Sequence, residues 1–152
     1  GNDVVEVSRI KKALENPKFK ERVYTESEVD LIELKGGKWE SYAGRFAAKE
    51  AIAKAFGTGV RDFNFSDIEI LNDTFGKPMV TLKNGLENMY VGFKIELSIS
   101  HSKEYVTAVA IILKENQNLF ERSYRSELMD ILDIKRGFSN LKENIDNIRG
   151  SL

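Results

Sequence analysis

The sequence contains no cysteine among its 152 residues and a single histidine, His101. A disulfide scaffold, a thiolate zinc site and cysteine nucleophile chemistry are therefore excluded. A site with several histidine ligands is excluded too, so any metal must be held mainly by oxygen, which points to Mg²⁺, Mn²⁺ or Ca²⁺. The lack of cysteine fits a reducing compartment, and we expect a cytoplasmic protein.

The chain also lacks a basic excess and long apolar runs. Its 23 basic and 24 acidic residues give a net charge of −1, which argues against a general nucleic-acid binder. No run approaches the roughly 18–20 apolar residues of a membrane span, so no membrane partner is expected. The opening Gly1-Asn2-Asp3 has neither an initiator Met nor a signal-peptide pattern, and we expect that a short preceding stretch has been removed.

Local sequence patterns predict both helices and strands. Thr25 and Glu28 have the spacing of a capping box, which predicts a helix over residues 26–34. Residues 40–56 are rich in Ala, Glu and Lys and give the strongest helix prediction, with Gly57 just past the end as its cap. Strands are predicted over residues 68–71, 79–82, 94–100 and 106–113. The last of these is a nearly continuous apolar run, which predicts a buried strand.

Two groups of charged residues could carry chemistry, and each also has an ordinary structural explanation. Asp3 lies near the start of an apolar strand segment, where a carboxylate either faces a site or forms a cap or turn. On the long helix, Arg45 and Lys49 are four residues apart and would repel each other without a nearby anion. Glu50 and Lys54 are also four apart and could simply pair on a solvated face.

Two further groups carry hydroxyl and glycine residues. Gly57-Thr58-Gly59 could donate backbone N–H groups to a phosphate, or it could be a helix cap followed by a loop. Its spacing matches neither a P-loop nor a dinucleotide-binding fingerprint. Residues 98–102, Ser-Ile-Ser-His-Ser, could form an edge that faces a ligand, or the ordinary end of a strand.

Taken together, these groups resemble the motifs of the holo-acyl-carrier-protein synthases. The opening resembles the family's Gly-x-Asp motif, and Arg45-Phe-Ala-Ala-Lys-Glu-Ala51 with the following Gly57-Thr-Gly59 resembles its central helix signature. Three further segments follow in the family's order and spacing: Asp67-Ile-Glu-Ile70, Gly76-Lys-Pro78 and Ser98-Ile-Ser-His-Ser102. The resemblance covers Gly1 to about Leu113, and the chain is too short for the larger, two-lobed phosphopantetheinyl transferases.

The resemblance implies a fold and a reaction. The fold would be α+β, a single phosphopantetheinyl transferase domain over residues 1–115 with antiparallel strands packed against a long helix, followed by a helical extension over 116–152. The enzyme would move 4′-phosphopantetheine from its substrate coenzyme A to a serine of apo-acyl carrier protein, releasing adenosine 3′,5′-bisphosphate. The family also implies Mg²⁺, with Mn²⁺ as a substitute, a homotrimer with sites between subunits, and a place in fatty-acid biosynthesis.

The resemblance also assigns residues to roles. Asp3 and Glu50 would be the metal ligands and, with Lys54, the catalytic residues. Coenzyme A would contact Arg45, Lys49, Lys54, Gly57, Thr58 and His101. Arg45 and Lys49 would bring positive charge to its phosphates, with Arg45 reaching in from the adjacent subunit. The proton of the attacking serine would pass to a metal-activated water or to Glu50, and the sequence leaves both open.

A basic stretch suits an acidic protein partner. Residues 9–22 contain six basic and two acidic residues, a local charge of +4. Acyl carrier proteins are acidic, and complementary charge speeds and orients encounter. We therefore expect the carrier to dock on this stretch through Arg9, Lys18 and Arg22; a merely solvated basic helix is the alternative.

The last third of the chain has an apolar residue at alternating spacings of three and four. This pattern is a heptad seam sustained for three heptads. Its members are Ile131, Ile134, Phe138, Leu141, Ile145, Ile148 and Leu152. Such a helix packs either on its own domain or between subunits, and the family pattern offers no counterpart that decides between them.

Two other functions compete with the transferase. A non-catalytic module that binds coenzyme A or a carrier protein, assembled through the C-terminal helix, would need a damaged site, yet both proposed metal ligands are present. A metal-dependent phosphohydrolase would need a second cluster of acidic ligands, which the sequence does not display.

Overall fold

The computed structural model describes residues 1–57, 61, 63–115 and 117–150, and in the last helix it describes the side chains of residues 124–147 and 149. Thr58 and Leu152, both named in the sequence predictions, lie outside these residues, as does the side chain of Ile148. The chain divides into two compact units, Gly1–Lys114 and Glu115–Leu152.

The first unit mixes helices with antiparallel strands, which confirms the predicted α+β fold. Its elements in chain order are β1 (Asn2–Glu6), α1 (Val7–Ala13), α2 (Pro17–Val23), α3 (Glu26–Leu34), α4 (Trp39–Phe56), a 3₁₀ turn (Phe65–Asp67), β2 (Ile68–Asn72), β3 (Pro78–Leu82), α5 (Leu86–Met89), β4 (Phe93–His101) and β5 (Tyr105–Lys114).

The strands form two antiparallel sheets. The larger sheet has the order β1-β5-β4, with Asp3 opposite Ala108 on one side of β5 and Ser98 opposite Val109 on the other. The smaller sheet pairs β2 with β3. Because β5 is the central strand of the larger sheet, its inward side chains meet α4 at the middle of the core.

The long helix α4 lies against the larger sheet because its inner face is built from very small side chains. Four alanines of this face are fully buried: Ala43, Ala47, Ala48 and Ala51. A Cβ added at Gly1 would lie 2.1 Å from the carbonyl oxygen of Ala51, so the backbone just before β1 lies too close to α4 to carry a side chain. This close approach brings the start of β1 beside the last turns of α4.

Local chemistry explains where two of the helices begin and end. The Thr25 side chain accepts from the Glu28 N–H and the Glu28 carboxylate accepts from the Thr25 N–H, which confirms the predicted capping box of α3. At the C-terminal end of α4, Gly57 adopts the left-handed conformation (φ 80°) and donates its N–H to the carbonyl of Lys54.

The prediction of a fully buried β5 is wrong for one of its faces. Val106, Ala108 and Ala110 are buried against the core, whereas Val109 and Ile111 on the opposite face are 44% and 54% exposed. The apolar run predicted burial on both sides, but the first unit covers only the inner side with α4. The outer face therefore carries apolar side chains at the centre of an open sheet.

The second unit is a single helix, α6 (Gln117–Gly150), as the periodicity of the tail predicts. Its described side chains are all exposed. Among the described residues, the structure has no helix with both the length and the apolar character that crossing a membrane requires.

Candidate active site

Asp3 and Lys54 meet where β1 crosses the C-terminal half of α4. Asp3 lies on the same face of β1 as the buried Val5, which directs its side chain toward α4. The Lys54 ammonium donates to the Asp3 carboxylate at 2.8 Å and to the carbonyl oxygen of Asn2 at 3.1 Å. The pairing with Asp3 raises the pKa of Lys54, so this side chain is fully charged near neutral pH.

Glu50 supplies a second carboxylate to this place. It lies one helical turn before Lys54 and is half-buried. Burial raises the pKa of its carboxyl, and the negative charge of Asp3 raises it further, while Lys54 and Arg9 act in the opposite direction. The Asp3 carboxylate therefore lies close enough to Glu50, across the gap between β1 and α4, to disfavour its charged form.

These two carboxylates form a pair and not a larger cluster. Over residues 1–57, 61, 63–115 and 117–150, the structure contains no group of three or more His, Asp or Glu side chains that could hold a metal. A protein cage for Ca²⁺ would need more oxygen ligands, whereas Mg²⁺ commonly takes one or two carboxylates and completes its shell with water and substrate phosphates. The donor set of Asp3 and Glu50 thus fits Mg²⁺ or Mn²⁺ bound together with a phosphate ligand.

A surface groove of about 530 Å³ runs beside Glu50 and carries two of the predicted docking cations. Its lining residues come from α2, α4 and the segment before β2: Asn16, Lys18, Phe19, Arg22, Val23, Phe46, Glu50, Asn64 and Phe65. Arg9, the third predicted docking residue, lies on α1, close enough to Glu50 for its charge to act toward a lower pKa of that carboxyl. The structure thus brings Arg9, Lys18 and Arg22 around one of the two carboxylates.

Lys49 does not reach this site, and the predicted phosphate contact does not fit its surroundings. Its side chain is fully buried, with the ammonium 2.7 Å from the Glu28 carboxylate and 2.6 Å from the carbonyl oxygen of Val23. Burial lowers the pKa of Lys49, and Glu28 partly offsets that shift. Lys49 therefore belongs to the core between α3 and α4.

Arg45 also lies apart from the Asp3 and Glu50 pair in its own chain. It donates from Nη2 to the side-chain oxygen of Asn72 on β2. Among the described residues, its Nε is the one buried side-chain nitrogen or oxygen without a hydrogen-bond partner. This geometry therefore does not bring Arg45 to a phosphate bound beside Asp3 of the same chain.

The remaining predicted ligand contacts lie at element ends. Gly57 caps α4 one turn beyond Lys54 and is exposed, while Thr58 lies outside the described residues. His101 is the exposed last residue of β4. Ser98 and Ser100 are exposed on the outer face of the larger sheet.

Sequence reasoning missed two features of the site's surroundings. One is the buried role of Glu28, whose second carboxylate oxygen accepts from the Ile70 N–H and so joins α3, α4 and β2. The other is the aromatic wall of the groove, where the Phe46 ring lies 6.0 Å from Phe19 and 5.7 Å from Phe65. Apolar residues at positions 19 and 46, each next to a cation or carboxylate on its helix, were the available signal for this wall.

Comparisons with known proteins show which family this chain resembles. Residues 1–110 match the family model of the 4′-phosphopantetheinyl transferase superfamily. A holo-[acyl-carrier-protein] synthase of Fusobacterium nucleatum is 50% identical over 74% of this chain and 96% of its own length. Another from Clostridium tetani is 52% identical over 74% of this chain and 92% of its own length.

Solved structures give the same result. The holo-[acyl-carrier-protein] synthase of Helicobacter pylori in complex with coenzyme A is 33% identical, with a TM-score of 0.67 over 74% of this chain and 98% of that one. The enzyme of Bacillus anthracis in complex with CoA (3′,5′-ADP) is 41% identical, with a TM-score of 0.64 over 76% of this chain and 95% of that one.

The chain therefore belongs to the 4′-phosphopantetheinyl transferase superfamily. Its activity is that of a holo-[acyl-carrier-protein] synthase: it transfers 4′-phosphopantetheine from coenzyme A to a serine of apo-acyl carrier protein and releases adenosine 3′,5′-bisphosphate. This confirms the family and the reaction that the sequence motifs predict.

Proposed function

We propose that the transfer takes place at a Mg²⁺ site held by Asp3 and Glu50, with Mn²⁺ as a substitute. The observation that carries this proposal is a pair of carboxylates, one from β1 and one from α4. Asp3 lies 2.8 Å from the Lys54 ammonium, and its charge raises the pKa of Glu50 one helical turn before Lys54. When bound there, the metal would supply positive charge to the coenzyme A pyrophosphate and to the leaving bisphosphate.

Lys54 adds a mobile positive charge to the same place. About half of its side chain is exposed, so its ammonium can turn from Asp3 to a phosphate oxygen without leaving the site. The carrier serine oxygen forms a bond to the phosphorus that bears pantetheine, and the bond from that phosphorus to the bisphosphate breaks. The serine proton would pass to a metal-activated water or to Glu50.

The carrier protein docks beside Glu50 along the groove. Lys18 and Arg22 line the groove together with Glu50, which supports placing an acidic partner within reach of the metal site. The aromatic wall of the groove, formed by the rings of Phe19, Phe46 and Phe65, adds an apolar surface to these cations. An acidic helix with a few exposed apolar side chains fits this combination of charge and surface.

The remaining coenzyme A contacts complete the site from two subunits. Gly57, Thr58 and His101 contact coenzyme A, and Arg45 reaches the phosphates bound by a neighbouring copy. The partnerless Nε of Arg45 supports this assignment, because a buried guanidinium N–H without an acceptor is costly unless a ligand supplies one. Lys49 is assigned to the core and not to a phosphate, given its buried pairing with Glu28.

A homotrimer supplies the neighbouring copy. The outer face of the larger sheet supports such an assembly, because exposed apolar side chains follow one another along the central strand and its neighbour. These side chains are Val4, Val109, Ile111 and Leu113, each between 44% and 66% exposed. Contiguous apolar surface of this kind marks a protein interface.

The carrier is expected to be that of fatty-acid biosynthesis, and the reaction is expected to take place in the cytoplasm. The relatives named for acyl carrier protein support the first expectation. The absence of cysteine from the sequence fits the second.

The experiment that tests this function is a carrier-modification assay. The full chain is incubated with coenzyme A, Mg²⁺ and apo-acyl carrier protein, and the intact carrier is weighed by mass spectrometry. We expect the phosphopantetheine mass increment with Mg²⁺ or Mn²⁺ and its loss when a chelator replaces the metal. No increment across several carriers would overturn the function, and an unchanged rate in chelator would overturn the metal.

A further inference from the structure

The second unit carries an apolar stripe that the transferase activity does not explain. Its side chains lie on one face of α6 and are between 46% and 72% exposed: Tyr124, Ile131, Ile134, Phe138, Leu141 and Ile145. Six large apolar side chains aligned on one exposed helix face are unusual for a helix that remains alone in water.

The spacing of the stripe is that of a helix that packs against other helices. Position a of the heptad is occupied by Tyr124, Ile131, Phe138 and Ile145. Position d is polar in the first heptad, at Glu127, and apolar in the next two, at Ile134 and Leu141. A seam repeating every 3.5 residues fits knobs-into-holes packing between helices, whereas a helix lying on a globular surface uses a broader apolar face.

The charges beside the seam favour a second copy of this helix in parallel orientation. Of the e positions, Leu128 is apolar and the following three, Lys135, Lys142 and Arg149, are basic, so antiparallel copies, which place e against e, would bring like charges together. Parallel copies place g against the e position of the next heptad, which sets Asp130 of one copy against Lys135 of another. The self-complementary seam thus has a defined direction.

The branched side chains of the seam indicate how many copies associate. Isoleucine occupies both a and d in the heptad of Ile131 and Ile134, and the sequence repeats this at Ile145 and Ile148. Isoleucine at both positions favours three or more strands over two. We propose that α6 forms a parallel three-stranded coiled coil with the same helix of two other copies; the number three rests on the proposed homotrimer.

The absence of cysteine allows a direct test of register in the full chain. The variants Ile131→Cys and Leu141→Cys place one thiol each on the seam, and Asn140→Cys places one on the polar face next to it. Under mild oxidation we expect both seam variants to run mainly as disulfide-linked dimers without reductant, and the Asn140→Cys variant to remain mainly uncrosslinked. Both seam positions lie within disulfide reach of their own copies only when the helices are parallel and in register, whereas an antiparallel pair brings together at most one of them.

A second measurement tests the strength of the association and the number of chains. In sedimentation equilibrium, the variant Ile134→Glu/Leu141→Glu should dissociate at a concentration at least about a hundredfold higher than the unchanged chain. Leu132→Glu is the matched control, since Leu132 is 46% exposed on the same helix but off the seam, and it should behave like the unchanged chain.

Each other outcome overturns a stated part of the inference. Crosslinking at only one seam position indicates an antiparallel pair, and crosslinking at neither removes self-association. A mass of six chains indicates two-stranded pairing of trimers and overturns the number three. Carrier modification is measured on the same samples, so inactive protein that still crosslinks contradicts the proposed function alone.

Discussion

Lys49 and Glu50 are neighbours on α4 that do different work. Successive residues of a helix point about 100° apart, so one can face the core while the next faces the gap beside β1. Lys49 is buried with Glu28, whereas Glu50 is only half-buried, beside Asp3. The neighbouring Lys and Glu of the motif thus combine a core ion pair with the carboxylate proposed as a metal ligand.

Replacing Lys49 by methionine separates these two roles. Lys49→Met leaves Glu28 as an uncompensated buried charge, so we expect the free energy of unfolding to fall by about 3–5 kcal/mol, measured by denaturant titration. Where the variant remains folded, its KM for coenzyme A should stay close to that of the unchanged chain.

Lys54→Met is the matched control on the same helix, and it should give the opposite result. Its ion pair is exposed, so stability should change by less than about 1 kcal/mol, while carrier modification should slow markedly. A large rise in the KM for coenzyme A with unchanged stability in Lys49→Met would restore Lys49 as a phosphate contact.

Motif order predicts Asp3, Glu50 and Lys54 as site residues, and their roles stay a prediction. The structure places Lys54 against Asp3, and both affect the pKa of Glu50. The burial of the motif's other residues could not be predicted. The environment of Lys49 depends on Glu28, 21 residues earlier in the chain, and no local pattern shows that these two side chains face each other.

The elements were more predictable than their exposure. The predicted helix over residues 26–34 has the bounds of α3, and the predicted helix over residues 40–56 differs from α4 by one residue. These ends are set by local chemistry, a capping box and a left-handed glycine, which a sequence displays directly. The outer face of β5 was wrongly predicted as buried because an apolar run does not show which element covers it.

Gly137 tests the energetics of α6. It lies inside the helix, and a Cβ added there would meet nothing within 4 Å. Since glycine costs roughly 1 kcal/mol relative to alanine in a helix interior, Gly137→Ala should stabilise α6 by up to that amount. Slower amide hydrogen exchange around residue 137 is the measurement.

Gly36→Ala is the control for this prediction, because Gly36 has a left-handed φ of 99°. There a side chain is strained, so the same substitution should destabilise the first unit. Faster exchange in Gly137→Ala would show that the helix does not continue through this residue in solution.

At the scale of the whole molecule, the net charge of −1 conceals a basic region beside the proposed active site. The cations of residues 9–22 lie on α1 and α2, and Lys18 and Arg22 line the groove that also contains Glu50. Local charge and not the total therefore determines which partner the surface suits.

The outer face of the larger sheet gives a prediction about assembly. Val109→Glu/Ile111→Glu places two charges on that face, so we expect weaker association by at least about tenfold and loss of activity, because Arg45 no longer reaches a neighbouring site. Solution mass across a concentration series and carrier modification are the measurements.

Met79→Glu is the control for assembly, since Met79 is 49% exposed on the smaller sheet, and it should change neither quantity. If the face variant kept its mass and full activity, the trimer would have to use another surface.

The most direct test of the account is the rate of carrier modification by Glu50→Gln at saturating Mg²⁺. Glutamine keeps the size of the side chain but removes one of the two proposed ligand charges. A metal contributes several kcal/mol of charge stabilisation in such reactions, so kcat/KM should fall at least about a hundredfold with the fold intact by circular dichroism.

Glu40→Gln, in the first turn of the same helix, should retain kcat/KM within about twofold, since it lies outside the site. A Glu50→Gln variant as active as Glu40→Gln would contradict a metal site built from Asp3 and Glu50.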